Sequence, residues 1–125
     1  MSEQNKQIAI AFYEKLINDF DPDTAFNLYG GDTYKQHTPV IADGREGVTK
    51  FIGWLRNNYP DSRMEIKRAF SDGDMVILHC HWIQKSGERG NAVVDFFRVE
   101  NGKVVEHWDV IQPIPETSSN DNTMF

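Results

Sequence analysis

The chain is poor in the features that would place it in several large classes. It has a single cysteine, Cys80, which excludes an intrachain disulfide and a multi-cysteine metal site. Set among strand-forming residues, Cys80 is expected to be a buried, inert thiol. The longest unbroken apolar run is six residues, Ile8 to Tyr13, far short of the ~20 that span a bilayer as a helix. No secretory signal is visible at the N-terminus, so the cytoplasm is the expected compartment. Basic residues are outnumbered, 13 against 19, for a net charge of −6. With no basic run or basic-aromatic stripe, a nucleic-acid partner is not expected, and the acidic balance reads as solubility. Repeats and linkers are also missing. The 125 residues therefore read as one domain, 1–115, with room for a core and one pocket, followed by a polar tail, 116–125.

Periodicity orders what is present. Ser2 can cap a first helix whose stripe is Ile8, Phe12, Leu16, Ile17 and Phe20. Asp21-Pro22 reads as a cap and first helical residue of a second helix, which Gly30-Gly31 ends. Tyr34 to His37 is a short extended piece. A third helix runs from about Glu46 to Asn58 before Pro60. Everything afterwards reads as strand: Met64 to Phe70 with Met64, Ile66, Arg68 and Phe70 alternating, Met75 to Lys85, and a final hairpin. Pro113 and Pro115 end the last strand. The tail is expected to be mobile or docked on a partner. This order is an α+β layout with helices on one face of a mostly antiparallel sheet.

The final hairpin, VVDFFRVENGKVVEHWDV from Val93 to Val110, sets Asp95, His107 and Asp109 among Val, Phe and Trp. A carboxylate in such company is costly unless paired, hydrogen-bonded or protonated, and such groups are common material for acid/base sites. Two registers are open. A two-residue Asn101-Gly102 loop would use a type I′ turn, with Asp95 opposite Trp108 and His107 on the other face. A three-residue loop, Glu100 to Gly102, would place Asp95 opposite His107 and Val93 opposite Asp109. The longer loop is favoured. It gathers all three titratable residues on one face with Phe97, Val105 and Ile111, and leaves Val94, Phe96, Trp108 and Val110 on the other. Because a one-residue slip flips every side chain, a two-residue loop is expected to remove both the polar cluster and the apolar patch.

Other candidates are less specific. His79 and His81 lie about 6.6 Å apart on one strand face and could join His107 or Asp109 as metal ligands, although the signal is weak and ordinary strand histidines account for them better. No metal is assigned, and His79 is expected to line the pocket. Trp54 and Phe51 on the third helix fit core or pocket wall. Tyr13 lies beside the stripe of the first helix and is expected to be half-buried with a wet hydroxyl. Arg98 and Glu106 form an outer-face pair worth little alone.

FYEKLIN in the first helix, YKQHTPVIADGREG before the third, SDGDMVILHCHW, and the final hairpin with DVIQPIPE together resemble the nuclear-transport-factor-2-like superfamily. More narrowly, they resemble its SnoaL-like polyketide cyclases, including proteins described as predicted aldol-condensation enzymes. The resemblance covers nearly the whole chain and is more specific for fold than for chemistry. It implies a cone-shaped curved sheet closed by helices around a pocket. It places Tyr13 where ketosteroid isomerases keep an oxyanion-binding tyrosine, and His37 where they keep the carboxylate base. It places Asp95 at their hydrogen-bond-donating carboxylic acid, which an apolar site keeps protonated. It places Asp109 where SnoaL-type cyclases keep the acid/base aspartate. His37 departs from the isomerase pattern and leaves Asp109 as the better base. The resemblance also implies dimers formed through the sheet, in line with the apolar patch at Val94, Phe96, Trp108 and Val110.

The expected function is cofactor-free acid/base catalysis on a small, apolar, polyketide-like carbonyl compound, with enolate formation and intramolecular aldol-type closure. Asp109 would be the base, His107 its partner, and Asp95 or Tyr13 the donor to the enolate, with His37, Trp54, His79 and Phe97 against the substrate. Two alternatives stand beside it: a non-catalytic binding protein of the same fold, in which the Asp–His pair only stabilises the hairpin, and a metal-binding protein built on the strand histidines.

Overall fold

The structure is a computed structural model and describes residues 2–125. Helix α1, Ser2–Tyr13, passes directly into a π-helical segment, Glu14–Asn18, so Ser2 is the first helical residue rather than a cap. The buried stripe is Ala9, Phe12, Tyr13, Leu16 and Ile17. Its spacing is helical, but it is centred one residue later than a stripe begun at Ile8. Tyr13 is therefore inside, 5% exposed, not half-wet. Phe20 takes a positive φ of 53° and ends the segment. Helix α2, Pro22–Tyr29, opens as its sequence dictates: the Asp21 carboxylate accepts the Thr24 N–H at 3.1 Å, satisfying one free donor of the first turn. Gly30 follows because a Cβ there would collide with the Phe26 ring.

Strand β1, Gly30–Gln36, is longer than the expected piece and precedes helix α3, Gly44–Asn58. Strands β2 (Arg63–Asp72), β3 (Met75–Ile83), β4 (Asn91–Glu100) and β5 (Lys103–Pro113) complete the chain. One five-stranded sheet results, in the order β1-β5-β4-β3-β2. β1 runs parallel to β5, and the other pairs are antiparallel. The inner sheet face carries Val76, Leu78, Cys80, Val93, Phe97 and Val99, which pack with the α1 stripe, Phe26, Ile52 and Leu55 in one core. Burial alternates strictly along β3. It does not along β2, where a bulge between Ile66 and Arg68 sets Ile66 opposite inward Cys80 and Arg68 opposite outward His79. The single period-2 pattern expected over Met64 to Phe70 is broken there, and Phe70 is 56% exposed.

The final hairpin corrects the loop but keeps the faces. Glu100 pairs with Lys103, so the loop is Asn101-Gly102, with positive φ at both residues, 52° and 75°, as a type I′ turn requires. A bulge follows at once: Val99 pairs with Val104, and Arg98 with Glu106. Val105 is the extra residue, and Val104 and Val105 are buried in succession. One inserted residue reverses the parity that the shorter loop had set. Beyond it Asp95 faces Asp109, Phe97 faces His107 and Val93 faces Ile111. The expected pairings of Asp95 with His107 and of Val93 with Asp109 do not occur. Asp95, His107 and Asp109 nonetheless share the inner face, and Val94, Phe96, Trp108 and Val110 share the outer one.

The tail returns to its own sheet. Ile114 donates its N–H to the Gly90 carbonyl at 3.0 Å, and the Phe125 ring packs, tilted, against His81 (4.6 Å between centroids) and His79 (5.5 Å). Arg68 donates to the Phe125 backbone oxygen at 3.2 Å. The segment expected to be mobile or bound to a partner thus ends against outer-face histidines of the same chain. No helix among the described residues is long and apolar enough to cross a membrane.

Candidate active site

A cavity of about 230 Å³ lies between the inner sheet face, α1 and α3. Most of its wall is apolar: Leu16, Ile17, Val48, Ile52, Met64, Trp82 and Val93 among others. Its polar groups are Tyr13, Gln36, Thr38, Gln84, His107 and Asp109. Trp82 is held by its indole N–H, which donates to Ser62 Oγ at 2.9 Å.

Asp95, His107 and Asp109 converge, with donor atoms that all lie within 4.8 Å of one another. Asp95 is fully buried behind the ring of His107 and is not on the cavity wall. Its Oδ1 meets His107 Nε2 at 2.8 Å, while Oδ2 has no hydrogen-bond partner among the described residues. On the opposite side of the ring, Nδ1 lies 2.9 Å from Gln36 Oε1 and 3.4 Å from the Thr38 hydroxyl. The Thr38 backbone N–H donates to that same Gln36 Oε1 at 3.0 Å, so this atom is an acceptor and His107 Nδ1 must donate. The contact between Nε2 and Oδ1 then needs a second hydrogen, carried by the ring or by the carboxyl group. In either arrangement the Asp95–His107 pair has no net charge, which is how a carboxyl group without solvent is tolerated there.

Asp109 differs from Asp95 in reaching the cavity. Burial pushes its carboxyl group above the usual carboxylate range; His107 opposes this, Asp95 adds to it, and a Thr38 hydrogen bond opposes it again. Burial, and then Asp95, also pushes the Tyr13 hydroxyl well up, so it remains an O–H donor. The same two causes raise Cys80, which is fully buried, in line with an inert thiol. Both ring nitrogens of His107 are engaged, so Asp95, His107 and Asp109 could hold a cation together only if the ring gave up one of these hydrogen bonds.

Of the other residues singled out in the sequence, Tyr13 and Trp54 line the cavity. Phe97 does not: it is fully buried between the rings of Phe12, Tyr13 and His107 and braces the histidine. His37 points out of the opposite sheet face, stacked on Trp108 at 4.7 Å with 3° between planes, its Nε2 2.7 Å from Glu106 Oε2. The reason is the parallel pairing of β1 with β5, which sets Gln36 beside His107 and turns the next residue outward. His79 and His81 alternate with buried Leu78, Cys80 and Trp82 and so face outward too. They cannot share a metal with His107 across the sheet, and His79 cannot contact a ligand in the cavity. Arg98 and Glu106 do pair on the outer face, at 2.9 Å.

Sequence reading missed Gln36, Thr38 and Tyr34. Alternation was the available signal, since a buried Tyr34 implies an inward Gln36 and an outward His37. Gln36 holds the His107 ring, and this is open to test. Gln36→Leu should shift the ring nitrogen-15 resonances of His107 by releasing Nδ1, while Gln36→Glu, which keeps an acceptor, should preserve them. Unchanged shifts in the leucine variant would show that Gln36 does not set the tautomer.

A sequence profile described as the SnoaL-like domain matches residues 9–107. No curated protein matches the chain. Solved structures with the same fold include TsrD from Streptomyces laurentii, at 19% identity and a TM-score of 0.73, covering 89% of this chain and 90% of that one. AclR, a proposed hydroxylase from Streptomyces galilaeus, aligns at 20% identity and a TM-score of 0.72, covering 90% and 81%. A proposed polyketide cyclase from Bacillus cereus aligns at 19% and 0.73, covering 86% and 74%. These identities speak for the fold alone, and the profile match over most of the chain supplies the family: the protein belongs to the SnoaL-like domain family.

Proposed function

We propose that the protein is an acid/base enzyme that forms an enolate from a small carbonyl compound and closes it by an aldol-type step. The observation that carries this reading is Asp109, a carboxyl group raised by burial, on the wall of an apolar cavity. A base of raised pKa is closer to matching a carbon acid at neutral pH. Asp109 takes a proton from the carbon beside the carbonyl, and Tyr13 donates a hydrogen bond to the forming enolate oxygen. The enolate carbon attacks a second carbonyl of the same molecule, one C–C bond forms, and the resulting alkoxide takes back the proton held by Asp109. His107 steadies the Asp109 charge from within the cluster, and Asp95 acts through His107. The cavity wall supplies the folded conformation that closure needs. Structures of the same fold are described as a cyclase and a hydroxylase, so the fold is compatible with this reading and does not choose the reaction. The direct test is solvent deuterium exchange into enolisable ketones and β-dicarbonyls, followed by NMR. If none exchanges faster than in buffer, the catalytic reading fails and a binding protein remains.

We further propose that two copies associate through the outer sheet face. Val94, Phe96, Trp108 and Val110 lie together there, and Val110 is 66% exposed. Patches of this kind mark interfaces. Val110→Asp touches no core contact and should halve the particle mass seen by light scattering. A wild-type protein already monomeric at high micromolar concentration would remove the proposal.

A further inference from the structure

The acid/base reading leaves the substrate open, and the cavity restricts it. The volume of about 230 Å³ is below the ~300–1,000 Å³ of sites that bury drug-sized ligands. An apolar cavity of ~150 Å³ accepts benzene, so scaling by volume gives room here for roughly nine non-hydrogen atoms. Anything larger must project past Val40 and Trp54, the most exposed residues of the wall at 83% and 48%. Charge is the second restriction. No lysine or arginine among the described residues lines the cavity, and its one group of fixed sign is Asp109, with Asp95 behind it. A carboxylate or phosphate carried inside would meet Asp109 and find no lysine or arginine to pair with. Hydrogen-bonding groups are confined to a few positions, among them Tyr13, Gln36, Thr38, Gln84, His107 and Asp109.

We propose that the site takes an uncharged, largely apolar carbonyl compound of one or two rings, and discriminates against both four-ring ketones and carboxylates. The proposal rests on the acid/base reading for the carbonyl group, whereas size and charge follow from the cavity itself. Trp54 and Trp82 both line the cavity, so intrinsic fluorescence reports its occupation.

Three probes separate the terms: 2-tetralone, a neutral two-ring ketone; 3-phenylpropanoate, an anion with the same number of non-hydrogen atoms; and a four-ring steroid ketone. Titrated into the full chain, 2-tetralone should saturate the quenching at a concentration at least ~10-fold below either of the others, a tenfold ratio being the smallest that separates distinct affinities cleanly. Equal or tighter binding of the steroid ketone or of the anion would overturn the proposal, as would the absence of a saturable signal with 2-tetralone. Deuterium exchange at the carbon between ring and carbonyl of 2-tetralone, run in parallel, tests the chemistry separately. Selective binding without exchange supports the size and charge restriction and counts against the acid/base reading. Exchange catalysed equally well on both ketones does the reverse.

Discussion

Asp109→Asn should lower turnover of an enolisable substrate by ~10²–10⁴-fold, the range that a positioned general base supplies, with ligand affinity changed little. Asparagine keeps the size and polarity of the side chain and removes only its capacity to take a proton. The two effects must separate. A variant that loses binding in parallel with turnover would show that Asp109 shapes the cavity rather than acting on the substrate. A variant with wild-type turnover would move the base elsewhere in the cluster.

The same substitution should raise stability at neutral pH. Burial holds the folded-state pKa of Asp109 above its ordinary value, so the folded chain keeps this proton where the unfolded chain has released it. The stability contributed by this group is fully present below the unfolded value, ~3.9 for aspartate, and is lost as pH rises through the folded one. Asparagine does not titrate and avoids that loss. Thermal melts of both proteins from pH 3 to 7 should therefore diverge in favour of the variant as pH rises, and activity should fall on acidification with a midpoint above the usual carboxylate range. A variant that melts lower than wild type at pH 7 would contradict burial as the cause.

His107→Ala should cost ~3–5 kcal/mol, the usual penalty for stripping one partner from a buried pair. Asp95 is fully buried, its Oδ1 would lose His107 Nε2, and its Oδ2 is already without a partner among the described residues. The loss should appear as a lower urea midpoint with an unchanged slope. The double variant Asp95→Leu/His107→Phe supplies the control. Replacing both members with apolar side chains is often neutral or stabilising, so it should recover most of the midpoint and none of the activity. If the single variant unfolds with wild-type stability, the pair is not a buried one; if the double variant remains as unstable as the single, packing around Phe97 and Tyr13 carries the cost.

Much of this site is legible in one strand pair, although a three-residue loop is the wrong route to its register. A three-residue loop and a two-residue loop followed by one bulge put the same side chains on the same face. Val104-Val105, two adjacent apolar residues beside a polar alternation, was the local trace of the bulge. Turn chemistry favours Asn101-Gly102, and the need to gather Asp95, His107 and Asp109 favours the opposite parity. Only an extra residue satisfies both.

The sequence by itself determined the α+β order, the capping of α2, the buried Cys80 and the sidedness of the final hairpin, because each rests on local spacing or on a pattern within one pair of neighbouring strands. The tertiary structure alone decided what comes from elsewhere in the chain. Parallel pairing of β1 with β5 brings Gln36 to His107 and turns His37 away, and it joins segments 71 residues apart. Packing of α1 on the sheet turns Tyr13 inward, and the outer face of β3 receives Phe125. Long-range contacts of this kind have no fixed sequence spacing. They are chosen by which apolar faces can be buried together, and that choice is made once, by the whole fold.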